Sequence, residues 1–289
     1  MDLGIGLPNA VAGTTGRQLT DWARAAEEAG FSTLGTIDRI VYSNYEPIVA
    51  LSAAAAVTDR IRLATDVMLG PLRQNPAMIA KQVLSLDAVA GGGRAVLGIA
   101  LGGREDDFEI SGIDTSTRGA WLDDALPRIR AIWEGDGDLE SKVGPRPEKN
   151  GPTLLVGGYI ETALERAARH AHGWTQGGST PDAFKESLDQ LTEYWHGEER
   201  EGKPYTMALS YFSLGPDAQE NAERSLGKGY YAWLGEDTAQ QIVDSTAKDA
   251  DTVRQYISGF EAAGCDELVL FPASPDPEQV ALLAEAAGL

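Results

Sequence analysis

The amino-acid sequence predicts a single (β/α)8 barrel over residues 1–289, and two features of its pattern support this fold class. Eight short, nearly continuously apolar segments alternate with segments whose apolar residues recur at helical spacing. Continuous apolar runs are typical of parallel strands that are buried on both faces. The first strand is followed by Pro8, Asn9 and Ala10, whereas an open, doubly wound sheet commonly has a glycine-rich phosphate loop there. Eight βα units in a chain of this length match the barrel.

Each element can be placed by its apolar pattern and by the residues that end it. In the first helix, for example, Leu19, Trp22, Ala23 and Ala26 share one face, and Gly30 is a suitable stop. Strands are predicted over Leu3–Leu7, Phe31–Ile37, Ile61–Met68, Ala95–Leu101, Thr153–Val156, Gly173–Gln176, Thr206–Leu214 and Glu267–Phe271. Helices are predicted over Leu19–Ala29, Glu46–Val57, Pro76–Ala90, Thr117–Glu134, Ile160–Ala171, Pro181–Glu201, Asp217–Tyr231, Ala239–Ala263 and Pro277–Ala287.

Two departures from a plain eightfold repeat are expected. An insertion follows the fourth strand, where Arg104–Ile113 forms a charged loop or a short helix, and extra helices precede the eighth strand. The polar stretch Gly135–Gly151 is interpreted as an exposed segment, either a lid over the site or a loose loop.

Composition excludes several classes of protein. The formal net charge of −20 argues against a general binder of nucleic acid or of anionic membranes, because both need a basic face. The single cysteine, Cys265, allows no intrachain disulfide. The first residues, MDLGIGLP, lack the features of a signal peptide, and no apolar run is long enough to span a bilayer. We therefore expect a cytoplasmic protein that binds neither nucleic acid nor membrane.

Motifs for metal binding and for hydrolysis are not found in the sequence. It has no HExxH motif and no cluster of histidine, cysteine and acidic residues at ligand spacing, so no metal site is predicted. It also lacks the GxSxG elbow of serine hydrolases and the GxxxxGK[ST] loop of nucleotide triphosphatases.

Glycine pairs mark the predicted active-site face. In barrel enzymes this face lies at the carboxyl ends of the strands. Three strands end in such a pair, Gly102–Gly103, Gly157–Gly158 and Gly177–Gly178, and glycine lets a backbone approach a ligand closely. Gly157–Gly158 directly precedes a helix, whose free amides suit a phosphate. A tight βα turn would explain any one pair, but three on one face favour a bulky anionic ligand.

Charged and aromatic residues on the same face have two interpretations each. Arg39, Arg73 and Arg104 either pair with a phosphate, an anionic cofactor tail or a substrate carboxylate, or are solvated loop charges. Residues 105–107, Glu-Asp-Asp, either contain a general acid or base or form a solvated helix start. The aromatic residues that either line a pocket or belong to the core are Tyr42, Tyr45, Tyr211 and Phe212.

The chain resembles the bacterial luciferase-like monooxygenase family, a set of barrel enzymes that use FMN or the deazaflavin coenzyme F420. The similarity covers nearly the whole length and is strongest over RIRLATDVMLGPLRQNPAMIAKQVLSLDAVAGGGRAVLGIALGG. Three further blocks support it, namely EISGIDTSTRGAWLDDALPRIRAIWEG, GPTLLVGGYIETALERAARHAHGW and AAGCDELVLFP. Together the four blocks are specific, although each alone would be weak.

The resemblance implies a luciferase-like barrel with a flavin-type cofactor, FMN or F420, at the strand ends. It implies a non-proline cis peptide, Asp66–Val67, against the cofactor ring, a phosphate loop at Gly157–Gly158, and a cofactor contact from Asp38. The full set of implied cofactor-binding residues is Asp38, Thr65, Asp66, Val67, Gly102, Gly103, Gly157, Gly158, Tyr159, Gln176, Gly177 and Gly178.

The family's catalytic histidine does not carry over to this chain. Several F420-dependent members have that histidine directly after the acid that corresponds to Asp38. This chain has Arg39 there, so the candidate catalytic residues are Asp38, Arg39 and Glu105. The three histidines lie near the fifth and sixth helices, toward the other end of the barrel, and are interpreted as structural; they are His170, His172 and His196.

The expected activity is oxidation or reduction of a small organic substrate. Reduced FMN with oxygen would oxygenate it, whereas the deazaflavin would exchange a hydride with it. A separate flavin or F420 reductase as the source of reductant and a homodimeric state are further expectations. Two alternatives stay open: a catalytically inactive barrel that binds flavin or another ligand, and a flavin-independent lyase or isomerase that uses Asp38, Asp66 and Glu105 as acid and base.

Overall fold

Eight parallel strands close into a barrel in which each strand pairs with the next and the eighth pairs with the first. The computed structural model describes residues 1–147 and 150–289. The strands are β1 (Asp2–Gly6), β2 (Thr33–Thr36), β3 (Arg62–Leu69), β4 (Ala95–Ala100), β5 (Thr153–Gly157), β6 (Gly173–Gly177), β7 (Tyr205–Phe212) and β8 (Glu267–Pro272). The predicted (β/α)8 fold is therefore confirmed.

Helices surround the barrel, and the ends of several of them are marked by capping side chains or by glycines. Helix α1, for example, starts at a capping box of Thr15 and Gln18 and stops at Gly30, whose φ is 93°. The helices are α1 (Gly16–Ala29), α2 (Pro47–Ala55), α3 (Pro76–Val89), α4 (Glu105–Ser111), α5 (Arg118–Glu134), α6 (Glu161–His170), α7 (Pro181–Gly197), α8 (Ala218–Ala222), α9 (Glu236–Asp244), α10 (Ala250–Ala262) and α11 (Glu278–Ala287). None of the described helices is long and apolar enough to cross a membrane.

The interior of the barrel is filled by side chains, so a ligand must bind at its mouth, the face formed by the carboxyl ends of the strands. The ring of Phe271 occupies space left by two glycines: a Cβ atom on Gly6 would lie 2.3 Å from the ring and one on Gly35 would lie 2.6 Å from it. At the opposite end of the barrel, the buried carboxylate of Glu267 accepts hydrogen bonds from Arg62 and Tyr205, both at 2.7 Å.

The inserted segments follow the prediction except in the region before β8. Of the charged loop or short helix expected after β4, the structure forms the helix, α4, and α8 continues as a π-helix over Glu223–Tyr230. The single helix predicted over Ala239–Ala263 is wrong, because the chain forms α9 and α10 there. Two contacts explain the break. The amide of Ala247 donates to the carbonyl of Tyr211 at 2.9 Å, and Asp249 caps α10 by accepting from the amide of Thr252 at 2.8 Å.

The connection from α5 to β5 lies at the end of the barrel opposite the mouth. Arg146 anchors it by donating to the carbonyl of Ile132 at 2.7 Å and to that of Trp133 at 2.6 Å, both in the last turn of α5. The described part of Gly135–Gly151 is therefore a capping loop rather than a lid, while residues 148 and 149 of that stretch lie outside the described residues.

Candidate functional site

A backbone bulge at the end of β3 is the central feature of the mouth. The Asp66–Val67 peptide bond is cis, and the register between β3 and β4 shifts between Thr65 and Met68. Gly98 makes room for the bulge, because a Cβ atom there would lie 2.3 Å from the carbonyl oxygen of Thr65. The hydroxyl of Thr65 donates to the carbonyl of Gly98 at 2.8 Å. The predicted cis bond is thus confirmed, and it leaves the half-buried Val67 at the mouth.

Asp66 lies next to the bulge as a buried acid with one free oxygen. Its Oδ1 accepts a hydrogen bond from the hydroxyl of Thr175 at 2.7 Å, while its Oδ2 has no partner. Burial raises the pKa of Asp66 to about 6, and the bond from Thr175 opposes this only partly. Asp66 can therefore hold or release a proton near neutral pH.

The Gly157–Gly158 pair brings the end of β5 against the bulge. A Cβ atom on Gly157 would lie 2.7 Å from Cγ1 of Val67, and Gly158 has a φ of 136°, so neither position suits a side chain. Helix α6 begins three residues later without a side-chain cap. Its leading amides, those of residues 159–162, have no acceptor in the part of the chain that the structure describes, which is the arrangement that binds phosphate groups.

The mouth also contains buried oxygen atoms that lack a hydrogen-bond donor. Such acceptors are costly unless a ligand or water satisfies them. In the described residues, the buried side-chain carbonyl and carboxylate oxygens of this kind all lie within β3 or β6 or in the loop after β2. They are Oδ1 of Asp38, Oδ1 of Asn44, Oδ2 of Asp66 and Oε1 of Gln176.

Asp38 links the end of β2 to the loop after β3. Its Oδ2 accepts from the amide of Leu69 at 3.0 Å and from Arg73 at 2.8 Å. Burial nevertheless raises the pKa of Asp38, because desolvation outweighs the attraction of Arg73. Arg73 also pairs with Glu46 at 3.2 Å.

Arg39 points into the protein rather than toward open space. Its Nε donates to Oδ2 of Asp107 at 3.1 Å, and its other nitrogens donate to the carbonyls of Tyr230 at 3.2 Å and Val41 at 2.9 Å. Asp107 also accepts from the amides of Ile40 and Val41 at 3.0 and 2.6 Å. Arg39 and Asp107 thus tie the loop after β2 to α4 and to the π-helix.

Four tyrosines cover the same side of the mouth. The guanidinium of Arg39 lies 5.4 Å from the ring of Tyr42 and 5.2 Å from that of Tyr230. The ring of Tyr231 packs edge-on against Tyr230 at 4.9 Å, and its hydroxyl lies 2.6 Å from the hydroxyl of Tyr211. Burial raises the pKa of Tyr211 well above its usual value.

Several of these residues escaped prediction from the sequence. Tyr230 and Tyr231 belong to a helical segment, and only their adjacency at the end of that segment could have drawn attention to them. Asp107 was grouped with its exposed neighbour Glu105, yet Asp107 is buried and ion-paired. The run of three acids gave no means to separate them, because the side of α4 that faces Arg39 depends on where the insertion folds.

The remaining predicted residues lie at the mouth with fewer contacts. Gly103, Glu105, Tyr159, Gly177 and Gly178 are exposed, while Gly102 and Gly158 are half-buried. Among the other candidates, Tyr45 donates its hydroxyl to the carbonyl of Thr14 at 2.8 Å, and Phe212 is buried in the core. His172, which was interpreted as structural, lies at the opposite end of the barrel and accepts from the amide of Leu154 at 2.9 Å. The described residues contain no group of three histidine, cysteine or acidic side chains that could hold a metal ion.

The family model described as luciferase-like monooxygenase matches residues 1–284. The chain belongs to this family. An uncharacterized protein of Mycobacterium tuberculosis, Rv0940c, is 31% identical over 238 residues, which cover 72% of this chain and 80% of the relative. An F420-dependent glucose-6-phosphate dehydrogenase of Amycolatopsis mediterranei is 28% identical over 160 residues, which cover 49% of this chain and 48% of that protein.

A solved structure has the same fold over almost the full length of both chains. It is an F420-dependent secondary alcohol dehydrogenase in complex with an F420-acetone adduct, with a TM-score of 0.82 and 18% sequence identity, covering 99% of this chain and 98% of that one. Family and fold together support an oxidoreductase with a cofactor of the flavin or deazaflavin class.

Proposed function

We propose that this protein is an F420-dependent oxidoreductase that transfers a hydride between the deazaflavin and a small organic substrate. The set of buried acceptors at the mouth carries the proposal, because those atoms call for a ligand with several hydrogen-bond donors beside the β3 bulge. A flavin-type ring and its polyhydroxylated chain offer such donors. The F420-dependent relative favours the deazaflavin among the two cofactors.

The residues present fit a cofactor of this class. Val67 would support one face of the ring, and the free amides of residues 159–162 would hold the phosphate. The deazaflavin, when bound, supplies a ring carbon that accepts or donates a hydride. The predicted contacts from Thr65, Gln176 and the glycine pairs belong to the same proposal.

We assign the chain's own groups separate roles in proton handling. Asp38 and Asp66 are the candidates for holding a proton, because each is buried, has a raised pKa and keeps one oxygen without a donor. Glu105 is an exposed candidate at the first turn of α4. Arg39 is better suited to positioning than to catalysis, because each of its nitrogens already has an acceptor within the protein.

A second candidate is an FMN-dependent monooxygenase, which the description of the matching family model favours. A separate reductase would supply the reduced cofactor to the monooxygenase, and also to the F420-dependent enzyme when it reduces its substrate.

Fluorescence titration of the purified protein with F420 and, separately, with FMN tests the proposal. We expect saturable quenching of F420 and much weaker binding of FMN. Binding of FMN alone would favour the monooxygenase, and binding of neither would contradict both candidates. For glycine variants of the proposed cofactor site, Gly197→Ala is a suitable control. A Cβ atom there meets no other atom within 4 Å, and Gly197 ends α7 away from the bulge.

A further inference from the structure

We infer that the substrate is an uncharged molecule whose carbonyl or hydroxyl oxygen is bound by the Tyr211–Tyr231 hydroxyl pair, and that carboxylates and phosphates are excluded. The inference deepens the proposed function and rests on the cofactor lying beside Val67. Three observations support it. Arginines at the mouth are paired with carboxylates of the protein, the hydroxyl pair has one proton free to donate, and the residues around that pair are mainly apolar.

Three arginines at the mouth are already paired with carboxylates of the protein. Arg39 pairs with Asp107, and Arg73 pairs with both Asp38 and Glu46. Arg104 pairs with Asp106. An anionic substrate would have to break one of these pairs and would approach a region that also contains the acids Asp38, Asp66 and Glu105.

The hydroxyl pair has one proton left to donate. Two phenols carry two protons, and the 2.6 Å bond between Tyr211 and Tyr231 uses one of them. Neither hydroxyl has another acceptor in the part of the chain that the structure describes. A neutral oxygen atom of the substrate would accept this remaining proton, and it would do so without requiring a positive partner.

The surroundings of the pair suit an apolar substrate body. The ring of Tyr211 packs against Phe271 at 6.4 Å and against Tyr231 at 5.8 Å. The residues beside Tyr211 are mainly apolar, among them Leu7, Ile37 and Leu226. A single hydroxyl donor that is surrounded by apolar side chains favours a ligand with one oxygen atom and a hydrocarbon body.

Two ligands of similar shape but different charge test whether the site excludes anions. Cyclohexanone and cyclohexanecarboxylate share a ring and differ in charge, and each is titrated into F420-loaded protein while the F420 fluorescence is followed. We expect saturable binding of the ketone and at least tenfold weaker binding of the carboxylate, roughly the effect of one unpaired charge in such a site. Equal or tighter binding of the carboxylate, or no binding of the ketone, would overturn the inference.

The variant Tyr231→Phe tests the hydroxyl pair itself. It keeps the ring and removes the hydroxyl, so ketone binding should weaken by roughly five- to tenfold, as for the loss of one hydrogen bond, while F420 affinity stays unchanged. The control Tyr256→Phe removes a hydroxyl on α10 that donates to the carbonyl of Ser245, and it should change neither affinity. Unchanged ketone binding in Tyr231→Phe would contradict the role of the pair.

The proposed function can fail separately from this inference. If F420 does not bind, the same ketone and carboxylate titrations are followed by tryptophan fluorescence of the cofactor-free protein. Preference for the ketone that depends on Tyr231 would still support the inference, and its absence would refute it.

Discussion

The two halves of the barrel mouth are built in opposite ways. The open half comprises Val67, Leu101–Gly103, Gly158–Ile160 and Gly177–Gly178, and it is glycine-rich and half-buried or exposed, with free amides at the start of α6. The closed half comprises Arg39, Tyr42, Asp107, Tyr211, Tyr230 and Tyr231, and it is held by a buried ion pair and packed rings. The difference suggests that the first half accommodates a large cofactor, while the second is organised in advance for a small substrate.

The largest effect is expected from breaking the ion pair of the closed half. Asp107→Ala leaves the Arg39 guanidinium buried without a carboxylate, which should cost about 3–5 kcal/mol of unfolding free energy. Urea denaturation measures this. The control Asp189→Ala breaks the exposed Lys185–Asp189 pair and should cost at most about 1 kcal/mol. Equal losses in the two variants would show that the closed half is not held by this pair.

A smaller effect, dependent on pH, is expected from the acid below the open half. The pKa of Asp66 is about 6 in the folded protein, above the ~3.9 of an unfolded chain. Ionised Asp66 therefore destabilises the fold above pH ~6, and this penalty disappears as the pH falls toward ~4. The unfolding free energy of Asp66→Asn, relative to that of the unchanged protein, should thus be about 2 kcal/mol higher at pH ~7.5 than at pH ~4.5. Urea denaturation at both pH values checks this, and a pH-independent difference would contradict it.

The open half is tested by adding a methyl group at the place where β5 lies closest to the β3 bulge. Gly157→Ala places a Cβ atom 2.7 Å from Cγ1 of Val67 and must displace the bulge that would support the cofactor. We expect F420 binding to weaken by at least about tenfold, measured by fluorescence titration beside the Gly197→Ala control. Unchanged affinity would place the cofactor elsewhere.

The smallest effect is expected from one ring of the closed half. Tyr42→Ala removes one of the two rings beside Arg39 and leaves Tyr230 in place, so the loss of stability should be about 0.5–1 kcal/mol. A loss as large as that of Asp107→Ala, in the same urea experiment, would mean that aromatic packing rather than the ion pair holds this half together.

The sequence predicted the open half better than the closed half for a physical reason. The glycine pairs lie at strand ends, which can be located from apolar runs, and the Asp66–Val67 cis bond was implied by the family resemblance. The closed half depends on long-range contacts, such as Arg39 with Tyr230, which are 191 residues apart. The break between α9 and α10 was missed for the same reason, because the Ala247 amide is held by Tyr211 on a distant strand.

Hydrogen exchange with and without F420 tests the division of the mouth most directly. Amides without acceptors exchange quickly with solvent. Their exchange becomes slower when a bound ligand accepts their hydrogen bonds. We expect F420 to slow exchange in residues 157–162 and 66–69 and to leave exchange in residues 223–234 nearly unchanged. Slowing confined to residues 223–234, with none in 157–162, would contradict it.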